Sequence, residues 1–336
     1  MKSLHAPPET GAGLFISILL STRNRASELR RALESLMIPA NLSAEDWEII
    51  IVDNGSSDHT AELCAEFAQR YPRHFRALSE PTPGKSRALN RALSHVRGEI
   101  LALIDDDVIC DPGYLAGLRK TFSDGFADIA QGRTFVDYHC PRPDWFDHSF
   151  DQMMLLTDLG EQRLELHRGF WGVNVAMPMQ AITKVGGFCL EIGPGAASGL
   201  GEDGELAVRL KSSGYRLFYS PHMVLRHQVS GQRLTKRYVL GRSYRIGMSI
   251  AYYTERPPVP LWRYTLYVGK TLALRTMKAA GLQLRGRTTQ AMACLCEALQ
   301  QAGFCAQHVR FRRKGRPHLT IPSIPAYASV DNPGSR

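Results

Sequence analysis

Between residues 14 and 104 the chain repeats one pattern: a short uninterrupted apolar run, a polar cluster, then an amphipathic stretch of helical period. Residues 14–20, 47–52, 75–78 and 100–104 are the apolar runs. Residues 27–36 set Leu29, Ala32, Leu33 and Leu36 on one helical face, with Ser27 as a candidate cap. Residues 58–71 do the same with Leu63, Cys64, Phe67 and Ala68, and residues 86–96 form the third such stretch. Continuous apolar strands alternating with helices predict a mostly parallel central sheet covered on both faces, an α/β architecture. Ligands bind such sheets at the carboxyl ends of the strands. The polar clusters fall there: Ser21-Thr22-Arg23-Asn24-Arg25, Asp53-Asn54-Gly55-Ser56-Ser57-Asp58 and Asp105-Asp106-Asp107.

The second half is less regular. Residues 131–150 mix proline, aromatics and charge and read as a loop. Residues 171–177 suit a strand, and 183–185 the end of a short helix. Residues 193–204 hold five glycines and read as a mobile loop; 205–213 are helical. Short strands are expected at 216–219 and 223–226, around Pro221. Beyond Pro260, helices are expected over 261–284 and 288–303. Residues 1–13 read as a flexible leader and 317–336 as a tail.

Charge divides the chain unequally. From Arg226 to Arg316, eighteen Lys and Arg face only Glu255 and Glu297. That stretch is +16 within a total of +9, so the remainder is −7. Such asymmetry points to an anionic partner at one end. Seven cysteines without a CxxC pair suit a reducing compartment rather than a disulfide frame or zinc site. No run of about 18 apolar residues occurs, so no membrane span is expected. Composition, at 44% apolar and 22% charged, excludes a disordered or fibrous chain.

Four features carry candidate chemistry. Asp105-Asp106-Asp107 directly follows an apolar strand, and three adjacent carboxylates repel one another unless a cation neutralises them. Hard oxygen ligands suit Mg²⁺ or Mn²⁺; a solvated acidic turn is the alternative. Glu202-Asp203 precedes a helix after the glycine-rich stretch, either as a general base on a loop or as charge suited to a helix N-terminus. His227 follows a short apolar run and is either structural or a further metal ligand. Gly84-Lys85-Ser86 turns into a helix and could hold a diphosphate, but lacks the spacing of a P-loop. No GxGxxG follows a strand, which counts against a dinucleotide oxidoreductase.

In this order and spacing the pieces resemble the family 2 glycosyltransferases of the GT-A fold. The resemblance runs from about Phe15 to His227. It rests on residues 21–25, 52–58, 84–90 and 104–107 with Pro112 and Leu115, on Gly186-Gly187-Phe188, and on Gly201-Glu202-Asp203 with Arg209-Leu210. It implies a GT-A, Rossmann-like sheet over residues 14–230, with 14–110 as the nucleotide-binding half and 111–230 as the acceptor-binding half. A basic helical region, 231–316, would follow. The implied activity is inverting, metal-dependent transfer of one sugar from a nucleotide-diphosphate sugar, a UDP-sugar first, to a hydroxyl of a glycan or lipid-linked acceptor in surface polysaccharide assembly. Thr22, Asn24, Arg25 and Asp53 would cradle base and ribose, and Lys85, Asn90 and Asp106 would line the same cleft. Asp105 and Asp107 resemble the DXD pair that holds Mg²⁺ or Mn²⁺, with His227 as a further metal contact. Asp203 resembles the catalytic base, with Glu202, Trp171 and Asn174 shaping the acceptor pocket. The Gln-x-x-Arg-Trp of processive relatives is absent, which implies a non-processive bacterial type.

The basic C-terminal third matches none of these motifs. Its helices mix Arg and Lys with Leu, Tyr, Trp and Met, as on an anionic membrane surface or on an ordinary helical cap. With no recognition motif beside the charge, nucleic acid is not expected as a partner. The expected location is cytoplasmic, peripheral on the inner face of the plasma membrane. A nucleotidyltransferase would favour a glycine-rich signature near the first strand, where Ser-Thr-Arg-Asn-Arg stands. A degenerate, non-catalytic sugar-nucleotide scaffold is opposed by the intact Asp105, Asp107 and Asp203.

Overall fold

The computed structural model describes residues 14–37, 47–123, 128–167, 169–255 and 259–325. The expected leader, 1–13, and residues 326–336 of the expected tail lie outside the described residues. The first half runs β1 (Ile16–Thr22), α1 (Ala26–Met37), β2 (Trp47–Asp53), α2 (Thr60–Arg70), β3 (Phe75–Ser79), α3 (Lys85–Leu93), β4 (Ile100–Ile104), β5 (Val108–Cys110) and α4 (Tyr114–Ser123). The second runs β6 (Ile129–Tyr138), β7 (Leu164–Glu165), β8 (Asn174–Pro178), α5 (Met179–Val185), α6 (Glu202–Ser212), β9 (Leu217–Val229), α7 (Lys236–Tyr253), α8 (Leu261–Leu284) and α9 (Thr288–Lys314). Short 3₁₀ turns occupy His148–Met154 and Gly231–Leu234.

The described strands form one mixed sheet in the order β3-β2-β1-β4-β8-β6-β9-β5, with β7 paired to β9. β1 through β4 are parallel, and β8 runs antiparallel between β4 and β6. Ile16, Ile18 and Leu20 of β1 face a core shared with α1, α2 and α4, while Leu19 faces the opposite core with α3, α5 and α6. Both sides of each strand are therefore apolar, which explains runs without alternation. The register pairs Thr22 with Asp53, so both strand-end clusters emerge at one edge.

Three stretches depart from the sequence expectation, each for a physical reason. Residues 131–138 belong to strand β6 rather than a loop. Gln131 and Thr134 are fully buried there, but their side chains are satisfied within the sheet. Gln131 donates to the Asn174 carbonyl at 2.8 Å and accepts from the Trp171 N–H at 2.7 Å. Polar residues buried this way hide a strand from its hydropathy pattern. The two short strands around Pro221 are one strand, β9. Its register with β6 shifts between Gly132 and Arg133, a bulge that accommodates the proline. Residues 317–325 are packed, not loose: the Gly187 and Leu190 N–H groups donate to the Pro322 and Thr320 carbonyls, and Ile324 joins the core.

α7 and α8 both pack on α9, which extends beyond the expected 288–303. The α7–α9 crossing depends on two glycines. A Cβ on Gly247 would stand 1.8 Å from the Gln300 carbonyl oxygen, and one on Gly303 would stand 2.0 Å from that of Tyr244. Backbone cannot move aside as a side chain can. Gly247→Ala is therefore expected to lower unfolding free energy by about 1–3 kcal/mol. Gly269→Ala in α8, with open space around its Cβ, should instead stabilise by about 0.5–1 kcal/mol. Equilibrium denaturation of both variants checks the pair of signs.

Candidate active site

The carboxyl ends of β1, β2 and β4 open into a cleft of about 750 Å³. Its floor is the strand-end clusters, and its far wall comes from the glycine-rich segment, the start of α6 and the length of α7.

Asn54, immediately after β2, builds one rim. Its amide donates to the Glu80 and Thr82 carbonyls at 2.9 and 2.8 Å and accepts from the Gly84 N–H at 2.7 Å. That fixes the turn delivering Lys85 at the N-terminus of α3. Gly84 has φ +147°, open to glycine and costly to other residues. The glycine-rich segment is held against this turn. The Lys85 N–H donates to the Pro194 carbonyl and the Ser86 hydroxyl to the Ile192 carbonyl, while Ser198 is buried and accepts from the Gly193 N–H. The structure thus shows a hydrogen-bonded segment where the composition suggested a mobile loop.

Lys85 Nζ lies 2.7 Å from Asp105 Oδ1 and 3.3 Å from Glu202 Oε1, joining the β4 triad to the start of α6. Burial opposes its charge, but Asp105 and Glu202 outweigh burial and raise its pKa. Burial is also the largest influence on Glu202, whose pKa is raised despite Lys85. Asp106 is buried beneath the cleft, accepting from the Thr22 hydroxyl at 2.8 Å and from Arg25 at 2.8 Å. Burial pushes its carboxyl up to about 6. Asp107 meets Arg25, Arg233 and His227 at once. Burial opposes its ionisation too, but the His227 hydrogen bond and the three neighbouring groups hold its pKa well below the usual range.

His227 is buried, with Nδ1 2.8 Å from the Met154 carbonyl and Nε2 2.8 Å from Arg233 Nη1 and 3.4 Å from Asp107. A carbonyl only accepts, so the Met154 bond places a proton on Nδ1, and Nε2 is the ring nitrogen that faces Asp107 and Arg233.

Asp203 sits across the cleft. Its carboxylate accepts from the Gly172 N–H at 2.9 Å and the Gly204 N–H at 2.8 Å, which fixes its aim from two backbone segments. Tyr253 of α7 approaches the same corner, and burial with the Asp203 charge raises its pKa. Trp171 lines the cleft, and its indole Nε1–H is buried without a partner, as is Nε of Arg242 on α7.

The cleft therefore gathers Thr22, Arg25, Lys85, Asp105, Asp106, Asp107, Trp171, Glu202 and Asp203 from the sequence-derived set. The remaining members stand behind or beside it. Asn24 caps the neighbouring turn, accepting from the Ser57 N–H, and Asp53 accepts from the Ser56 N–H. Asn90 spends its amide on both backbone groups of Phe188. Asn174 is fully buried under the sheet. It donates to the Arg133 and Met223 carbonyls and accepts from the Tyr114 hydroxyl, so it staples β8 to its neighbours. His227 reaches the site only through Asp107 and Arg233. Sequence reasoning missed the wall from the basic third: Arg233, Tyr238, Arg242 and Tyr253. The charge excess was visible, but nothing local marked those four among its members.

A mixed, mostly parallel sheet with a carboxylate triad at its carboxyl edge, faced by a further carboxylate in the first turn of α6, is an arrangement of the GT-A fold. The profile described as "Glycosyl transferase family 2" matches residues 17–186, half of the chain, and the chain belongs to that family. Among curated relatives, it is 32% identical over 101 residues to the dolichyl-phosphate beta-glucosyltransferase ALG5A of Trichomonas vaginalis, covering 29% of this chain and 31% of that one. The chain matches about a third of the length of the first such relatives. Among solved structures it is similar to the mannosyltransferase PcManGT of Pyrobaculum calidifontis in complex with GDP-Man and Mn²⁺. The TM-score is 0.58 at 18% identity, covering 92% of this chain and 90% of that one. GalNAc-T7 with UDP, GalNAc and Mn²⁺ follows at TM-score 0.51 and 14% identity, covering 71% and 49%. At these identities the likeness is one of fold. No helix among the described residues is long and apolar enough to cross a membrane.

Proposed function

We propose that the cleft transfers one sugar from a nucleoside-diphosphate sugar to an acceptor hydroxyl with inversion at the anomeric carbon, using a divalent cation. The observation that supports this most is the meeting of two chemistries in one cleft: the cation-neutralised triad on one wall and Asp203, held by two backbone N–H groups, on the other.

Asp105 and Asp107, with Nε2 of His227, offer hard oxygen donors and one neutral imidazole, a set that suits Mg²⁺ or Mn²⁺. Among the described residues no three His, Cys, Asp or Glu are already gathered around one cation position, because Lys85, Arg25 and Arg233 occupy the carboxylates. Those three side chains are long and can exchange their carboxylate for a phosphate. When bound, the cation supplies neutralisation of the departing diphosphate. The structural neighbours contain Mn²⁺, which supports the same reading.

The chain's own residues do the rest. Thr22 and Arg25 line the nucleoside end, which Asn24 and Asp53 support from the turn beside it, with UDP-sugars the first donors to test. Lys85, Arg25 and Arg233 stabilise developing negative charge on the leaving diphosphate. Asp203 accepts the acceptor hydroxyl proton as its oxygen attacks, in a single displacement that inverts the centre. Glu202 and Trp171 flank the acceptor, and the unpartnered Trp171 indole N–H supplies a donor for an acceptor oxygen. The packed glycine-rich wall limits water that would otherwise hydrolyse the donor. The acceptor proposed is a glycan or lipid-linked hydroxyl; the name of the dolichyl-phosphate relative supports the lipid carrier, not the accepting group.

The test is to incubate the protein with labelled nucleotide sugars, Mn²⁺ or Mg²⁺ and a membrane extract. Label should enter a lipid-soluble or glycan fraction only with cation present. Release of free sugar alone from every donor would oppose the reading.

A further inference from the structure

α8 carries a surface that the site does not use. Its inner side buries Leu261, Val268 and Ala279 towards α9. On the opposite side Trp262, Leu266, Tyr267, Leu274, Met277 and Leu284 are 52–89% exposed. Six of the ten large apolar side chains exposed among the described residues thus lie on this one helix. At about 100° per residue, Trp262, Leu266, Met277 and Leu284 fall within roughly 60° of one another, as a stripe along about 33 Å of helix. Scattered exposed leucines are ordinary on a folded protein, but a stripe of this length marks a contact surface.

The charges on α8 say what it contacts. The helix contains no Asp or Glu. Arg263, Lys270 and Lys278 lie along one flank of the stripe, with Arg285 just beyond the helix end. Arg275 points the other way, to an ion pair with Glu297 of α9. A second copy of the face would set cation against cation. A helix too polar to span, apolar on one side and cationic beside it, suits the boundary of an anionic bilayer. Trp and Tyr favour that same depth.

We propose that α8 docks the protein on an anionic lipid surface. Trp262, Leu266, Met277 and Leu284 enter the acyl boundary, while Arg263, Lys270 and Lys278 lie at the phosphates. This surface would bring a lipid-linked acceptor near the enzyme, but docking itself does not rest on the sugar-transfer reading.

The test is sedimentation of the full chain with vesicles of pure phosphatidylcholine or with roughly 30% phosphatidylglycerol, without donor or acceptor. Binding is expected to the anionic vesicles, weaker at high salt, with a blue shift of Trp emission that Trp262→Phe reduces. Leu266→Asp with Met277→Asp should reduce binding at least about ten-fold, as should Lys270→Glu with Lys278→Glu. All four positions are solvent-facing, so circular dichroism and nucleotide-sugar binding should be unchanged. Absence of wild-type binding to anionic vesicles would overturn the proposal, as would unchanged binding by the apolar double variant. A concentration-dependent dimer dissociated by Leu266→Asp with Met277→Asp would assign the face to a second copy and overturn it too. Vesicle binding without any nucleotide-sugar binding would instead defeat only the transfer reading.

Discussion

Asp203→Asn is expected to lower sugar transfer by about 10²–10⁴-fold while leaving nucleotide-sugar binding close to wild type. The substitution keeps the shape and an oxygen acceptor for one of the two N–H groups, which bond to different carboxylate oxygens; the other loses its acceptor, a local cost of about 1–3 kcal/mol that a thermal melt beside the assay would register. What it removes is the capacity to take a proton from the attacking hydroxyl. A variant that binds donor normally yet transfers at near-normal rate would exclude Asp203 as the base. Single-turnover assays beside calorimetric donor binding separate the two effects.

Asp107→Asn should have the second large effect, on both stability and donor binding. Asp107 is buried and compensates Arg25, Arg233 and His227. Without its charge the Arg25 and Arg233 guanidiniums are left facing one another in a poorly solvated corner. Removing one member of a buried ionic cluster costs about 3 kcal/mol or more, reduced here because Arg25 is partly exposed. Cation-dependent donor binding should fall as well. The linkage has a definite sign. Because Asp107 has a depressed folded-state pKa, its stabilisation is present above the ordinary carboxylate range and is lost as pH falls towards its folded pKa. Wild type should therefore lose stability on acidification more steeply than Asp107→Asn, which thermal melts across a pH series would show.

The half of the fold built from two-faced strands was legible because its physics is local. β1, β2 and β4 are apolar on both sides since both sides are covered, and the polar clusters that follow them had nowhere to go but the carboxyl edge. Strand β6 escaped notice because Gln131 and Thr134 are buried with their hydrogen bonds satisfied by residues about 40 positions away. No window of sequence contains that partnership. The same holds for the site. Asp105–Asp107, Lys85 and Asp203 announced themselves by position after strands, turns and glycines. Asn90 and Asn174 carry the same side chain as many ligand-binding residues, and only tertiary contact shows them bonded to backbone. Arg233 and Tyr253 belong to a region whose charge was conspicuous, yet only tertiary packing, with α7 held against α9 at Gly247 and Gly303, shows that they reach the cleft.

The most direct test of the central claim is isothermal titration of a panel of nucleotide sugars, led by UDP-sugars, into the wild-type protein with Mn²⁺ and then with chelator. At least one nucleotide sugar should bind with Mn²⁺, lose affinity on chelation and in Asp107→Asn, and still bind Asp203→Asn. If no nucleotide sugar binds with Mn²⁺ present, or if binding is indifferent to both the cation and Asp107, then the triad does not hold a sugar diphosphate through a metal and the proposed function is wrong.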